Sequence, residues 1–152
     1  EMACKKIFGR SKQKMNNNII ETIKKYEIKG DFNYASVTDD MISEAEKRLS
    51  VKLPTQYIDY IKMFGHGGIG GLEILGVGLT GRMIFVDSTM EYREDGLPEN
   101  LVIIEHVDEW LMCLDCNSGK VVSWDFTGYI KEEYDSFDEY LVDQMNNVIE
   151  NM

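Results

Sequence analysis

The chain is poor in residues that carry chemistry or constrain a backbone: two histidines, three cysteines and two prolines in 152 positions. Any hydrolytic triad or histidine metal site must use His66 or His106, and neither stands in a G-x-S-x-G elbow or an H-E-x-x-H helix. Three cysteines, two of them only three positions apart, make no disulfide framework, so a reducing, cytoplasmic setting is expected. No apolar run approaches the ~18 residues that span a bilayer. The best stretch, Leu72 to Leu79, is broken by Glu73 and two glycines, and no membrane role is expected. Lys5 and Lys6 are not followed by an apolar block, so the start does not read as a secretory signal.

What remains is the composition of one packed domain, with 43% hydrophobic and 28% charged residues. Its charge is lopsided. Residues 1–66 hold 12 Lys/Arg against 9 Asp/Glu, whereas residues 67–152 hold 18 Asp/Glu against 4 Lys/Arg, a net −14 within a total of −11. Phosphate binding wants the opposite sign, so nucleic acid is not expected as a ligand, and a basic protein is.

A basic arm is expected over residues 1–18, ending in the polar run Ser11 to Asn18, with a single domain over 19–152. Ile19, Ile23 and Tyr26 give a first helix that stops at Gly30. Thr38, Asp39 and Asp40 cap a second, striped by Ile42, Ala45 and Leu49. A third begins at Pro54 and presents Tyr57, Ile61 and Phe64 before Gly65. Strands are expected at 72–77, 83–86, 101–105, 110–115 and 120–125, with a short helix over 88–93 and a hairpin turn at Asn117, Ser118 and Gly119. Ser136 and Glu139 form a capping box for a last helix bearing Phe137, Leu141, Met145 and Val148. Helices, then sheet, then helix imply an α+β domain, a mostly antiparallel four- to six-stranded sheet with helices on one face.

Three motifs could carry chemistry, and each has a blander explanation. G-x-G-x-x-G occurs at Gly65, Gly67, Gly70 and at Gly76, Gly78, Gly81, but a dinucleotide site needs a strand before and a helix after. The first match follows a helix and the second runs into a predicted strand, so tight turns account for the glycines. Cys113 and Cys116 form a C-x-x-C, yet residues three apart on a strand point to opposite faces and would not converge on zinc. The aromatics Tyr92, Trp110, Trp124, Tyr129 and Tyr134 could line a binding face, but the two tryptophans lie in predicted strands and are expected in the core. Adjacent acids such as Asp108 with Glu109 and Glu132 with Glu133 read as solvated surface. No catalytic residue, metal or cofactor is expected.

The order of residues resembles the SUKH superfamily, which includes fungal cell-wall-synthesis regulators and bacterial immunity proteins. The resemblance covers Thr38 to Ile149. It rests on Glu44, Glu46, Leu49, Leu53, Pro54 and Tyr57 in a helix, L-P, helix unit, then Gly67 and Gly68. The later signature is Gly96-Leu97-Pro98-Glu99-Asn100-Leu101, then Leu114, Asp115, Gly119, Val121, Trp124 and Asp125. The resemblance implies a domain without an active site that neutralises a cognate bacterial toxin, often a nuclease, by contact. The other role it implies is a non-catalytic regulatory scaffold that recruits a protein partner. No binding residue carries over from the family. The loop acids Glu94, Asp95, Glu99, Asp108, Glu109, Glu132, Glu133 and Asp135 are the expected contacts for a basic toxin domain, because loops between apolar runs carry function.

Overall fold

Helix α1 (Asn17–Tyr26) starts where the Asn16 side chain accepts the Asn18 amide, and it buries Ile19 and Ile23. The computed structural model describes residues 15–152, so residues 1–14 of the expected arm lie outside the described residues. The helix begins two residues before the expected domain start, and Met15 is already buried in the core. Helix α2 (Asp39–Leu49) is capped by Thr38, whose hydroxyl accepts the Met41 amide at 3.2 Å, with Asp39 and Asp40 in the favourable first turn. It ends at Ser50 in the left-handed region. Glu46 then accepts the Leu53 amide at 2.8 Å, which fixes the corner into α3 (Thr55–Phe64).

The hydroxyls of Tyr57 and Tyr60, both fully buried on α3, donate to the carbonyls of Leu75 (2.6 Å) and Gly67 (2.7 Å). They tie the glycine-rich segment down onto the helix. That segment is a correction to the sequence reading: 72–77 and 83–86 are not strands. A 3-10 turn at Ile69–Gly71 and isolated bridges Gly67↔Ile74 and Val77↔Met83 take their place. Glycine is required here. A Cβ on Gly76 would lie 1.8 Å from the Gly65 carbonyl oxygen, and one on Gly67 would lie 2.1 Å from that of Asp31. The backbone crosses itself more tightly than a regular ladder allows.

Helix α4 (Ile84–Arg93) therefore begins four residues before the expected Ser88, absorbing the apolar run read as a strand. The sheet is antiparallel, in order β1-β2-β3-β4, with β1 Leu101–Val107, β2 Trp110–Asp115, β3 Val121–Trp124 and β4 Ile130–Tyr134. Strand β4 had no forecast, since its sequence, Ile-Lys-Glu-Glu-Tyr, has no apolar face to recognise. The outer edge of β1 is not left open. The Ile103 amide donates to Thr89 Oγ1 of α4 (3.0 Å), and the bulged Ile104 carbonyl accepts the Leu75 amide (2.8 Å). Helix α5 (Phe137–Glu150), capped by Ser136 on the Glu139 amide, buries Phe137, Tyr140, Leu141 and Met145. The aromatic core joins Tyr57, Tyr60 and Phe137 edge to face, with Phe85 against Tyr57.

Candidate partner-binding surface

The histidines are committed elsewhere. His66 Nδ1 accepts the Gly76 amide at 3.0 Å, so Nε2 carries the proton and meets Glu73 Oε2 at 2.8 Å. Neither ring nitrogen is left to bind a metal or accept a substrate proton. His106 lies in β1, which runs two residues past the expected strand end at 105, with Nε2 2.9 Å from Ser88 Oγ. This Ser–His contact has no carboxylate on the other ring nitrogen among the described residues. Its serine also sits mid-helix, where backbone amides are used by the helix and cannot form an oxyanion hole.

Cys113 is buried on β2 between Ile103 and Val122, and Cys116 lies just beyond the strand. Burial pushes the Cys116 thiol up to about 12 and the Cys113 thiol higher still, the reverse of what a metal ligand or redox nucleophile needs. The second glycine motif does run into a helix, α4, but no strand precedes it. Five of the six motif amides a phosphate would need are also spent. Those of Gly65, Gly67, Gly76, Gly78 and Gly81 bond respectively to Ile61, Ile74, His66, Arg82 and Gly78.

The expected acidic contacts divide by topology. Val107 pairs with Trp110 and Trp124 with Ile130, so the Asp108-Glu109 turn and the Asp125-to-Tyr129 turn share one end of the sheet. Leu101 pairs with Asp115 and Val121 with Tyr134, which places Glu99 and Asp135 at the other end. Glu94 and Asp95 follow α4 in the loop that leads to Glu99. Glu132 pairs with Lys120 at 3.2 Å and Glu133 accepts from Ser123 Oγ at 2.9 Å, both along β4. The eight carboxylates are all exposed, but they do not form one patch.

Of the aromatics at the Asp108 and Glu109 end, sequence reasoning named Tyr129 and Trp110 as possible binding-face residues and missed Phe126. Phe126 and Tyr129 are each 61% exposed, and Trp110, expected in the core, is 43% exposed; Trp124, in contrast, is buried. Trp110 forms one wall of a groove of about 230 Å³ with Val107, Met112, Glu133, Tyr134 and Gln144. Glu105 lies on the same strand face as Val107, and burial, helped by the charge of Glu73, pushes its carboxyl up to about 7. Tyr140 of α5 donates its hydroxyl to it.

A family model described as SMI1-KNR4 cell-wall, SUKH_5, matches residues 16–146. The chain belongs to the SUKH superfamily. Members of that family include toxin immunity proteins and SMI1/KNR4 regulators. In this SUKH domain the signature positions are framework. Glu46 holds the L-P corner, and Leu49, Leu53 and Tyr57 are buried under it. Asn100 donates to Asp115 Oδ1 at 3.0 Å, and that oxygen also accepts the Asn117 amide, which pins the β2–β3 turn closed at Gly119. Asp125 accepts the Thr127 and Tyr129 amides, and the Thr127 hydroxyl foremost holds its carboxyl below the usual range. What the family pattern specifies is thus the scaffold and two turns. The side chains those turns display belong to this chain.

Proposed function

We propose that this SUKH domain is an immunity protein that acts by contact, without catalysis, in the cytoplasm of a bacterial cell, occluding a basic cognate toxin domain such as a nuclease. The observation that carries this reading is the meeting of exposed aromatic and carboxylate side chains at one end of the sheet, within a C-terminal half of net −14. Carboxylates speed the encounter with a basic surface, and exposed aromatics supply the contact area that slows dissociation. The chemistry that would argue for an enzyme is absorbed by the fold. His66 is bonded at both nitrogens, the thiols are held protonated, and the amides of Gly65, Gly67, Gly76, Gly78 and Gly81 are bonded within the chain.

The test is co-expression with the toxin domain encoded beside this gene. Stoichiometric protection of the host, with loss of toxin activity in vitro at a one-to-one ratio, is the expected result. The cell-wall description of the matching model favours a second reading, a regulatory scaffold that recruits its partner without inhibiting it. Binding that leaves the partner's activity intact would select that reading.

A further inference from the structure

We infer that the sheet end formed by the β1–β2 and β3–β4 turns is a docking surface for an apolar segment of a partner protein carrying arginine, with Phe126 and Tyr129 as its anchors. The inference deepens the immunity reading and rests on it for the partner's role. The surface itself is argued from its own geometry.

Of the ten large apolar side chains that are exposed among the described residues, three (Phe126, Tyr129 and Ile130) stand together between Asp125 and Lys131, and a fourth, Trp110, the first residue of β2, stands at the same end on the opposite face of the sheet. Scattered single exposures are ordinary in any protein, whereas three large apolar side chains exposed within one five-residue turn mark an interface. Phe126 is also preorganised. Phe126 sits 5.3 Å from the ring of Trp124 and 5.6 Å from that of Tyr92, and Tyr92 in turn stands edge-on to His106 at 5.8 Å. Asp125 fastens the turn from within, so little conformational freedom is lost on docking. A ring fixed in place yet mostly open to solvent contributes little to the core, and it suits a partner that covers it.

The charge of the surroundings selects the partner's chemistry. Asp108 and Glu109 are exposed at the same end, and no Lys or Arg stands in either turn. A guanidinium satisfies both features, lying flat on an aromatic ring while its edge donates to carboxylates. A second copy of this chain fits poorly, because two such ends would bring like charges together in a protein of net −11.

The experiment follows backbone amide shifts of the full chain as acetyl-Leu-Arg-Leu-Arg-amide is added, with its citrulline counterpart as the uncharged match. Shifts should centre on His106, Asp108 and the 126–130 turn, and citrulline should bind roughly fivefold more weakly, equivalent to about 1 kcal/mol. They should vanish in the Phe126→Ser, Tyr129→Ser double variant and persist in Leu79→Ser, which removes an apolar side chain that is 77% exposed elsewhere. If the double variant fails to fold, Tyr129→Ser alone serves the same purpose. Scattered shifts, or equal binding of the citrulline peptide, overturn the inference. So does a dimer in sedimentation that the double variant abolishes, which would make a second copy the occupant. Patch shifts on removing residues 1–14 would assign the occupancy to the chain's own basic start and overturn it as well. The neighbouring toxin domain separates the two readings. Equal toxin binding by wild type and the double variant removes the surface and leaves the immunity reading standing, while peptide docking without toxin binding does the converse.

Discussion

Glu105 is a carboxylate placed where its charge is unwelcome. It sits opposite Met112 in the sheet, takes a hydrogen bond from Tyr140, and feels the charge of Glu73 from the glycine-rich segment, while its own charge helps raise the buried phenol of Tyr60 on α3. Burial is the main cause of its rise from 4.5 to about 7. Between those values the unfolded chain releases a proton that the native chain keeps, so this group's contribution to stability falls as pH rises across the window and is fully lost above about 7. Partial solvent access reduces the effect to on the order of 1–2 kcal/mol. Glu105→Gln keeps an oxygen for Tyr140 and removes the ionisation. The variant should therefore lose less stability than wild type between pH 5 and pH 8, as read by urea unfolding at each pH. Parallel pH profiles for the two proteins would show that Glu105 is not the group responsible.

Among the elements, the tyrosines of α3 show how a helix holds a segment that has no secondary structure of its own. Tyr57→Phe removes the donor to the Leu75 carbonyl and leaves that buried oxygen one bond short, which should cost about 1–2 kcal/mol in urea unfolding. A loss under about 0.5 kcal/mol would mean that the glycine-rich segment is held by the Leu75–Ile104 and Gly67–Ile74 backbone bonds instead. Helices α2, α3 and α5 were legible because a cap and an apolar stripe agreed at each, and β1 to β3 because their apolar runs ended at turn residues. Strand β4 and helix α4 were not. The exposed edge strand has a polar sequence, and α4 opens with Ile84, Phe85 and Val86, a run whose β-like texture is overridden by packing against β1. The candidate surface was half legible. Asp108 and Glu109 could be named from charge, but Phe126 in a polar turn and the outward Trp110 carry no periodic signal, and only the pairing of the two hairpins places them at one end of the sheet.

At the scale of the whole molecule, the net −14 of residues 67–152 is distributed over both ends of the sheet, and salt decides which charges a partner feels. Strand β1 is seven residues long, so Asp108 and Glu109 are separated from Glu99 and Asp135 by roughly 20 Å. The Debye length is about 8 Å at physiological ionic strength and about 30 Å at 0.01 M. A basic partner docking at the Phe126 end should then be steered by Asp108 and Glu109 at either salt, and by Glu99 and Asp135 only at low salt. Charge reversal tests this directly, because all four residues are exposed and such changes usually alter stability by no more than about 0.5 kcal/mol, with a further backbone cost at Asp108, whose φ is 44°, that urea unfolding of the variant measures. In stopped-flow association with the toxin domain, Asp108→Lys with Glu109→Lys should slow binding about tenfold at 0.15 M, a size within the range of electrostatic steering. Glu99→Lys with Asp135→Lys should match wild type at 0.15 M and fall behind it at 0.01 M. If the second pair slows association as much as the first at physiological salt, the partner meets the opposite end of the sheet. If neither pair matters at any salt, the acidic half serves solubility and the contact is made by apolar surface alone.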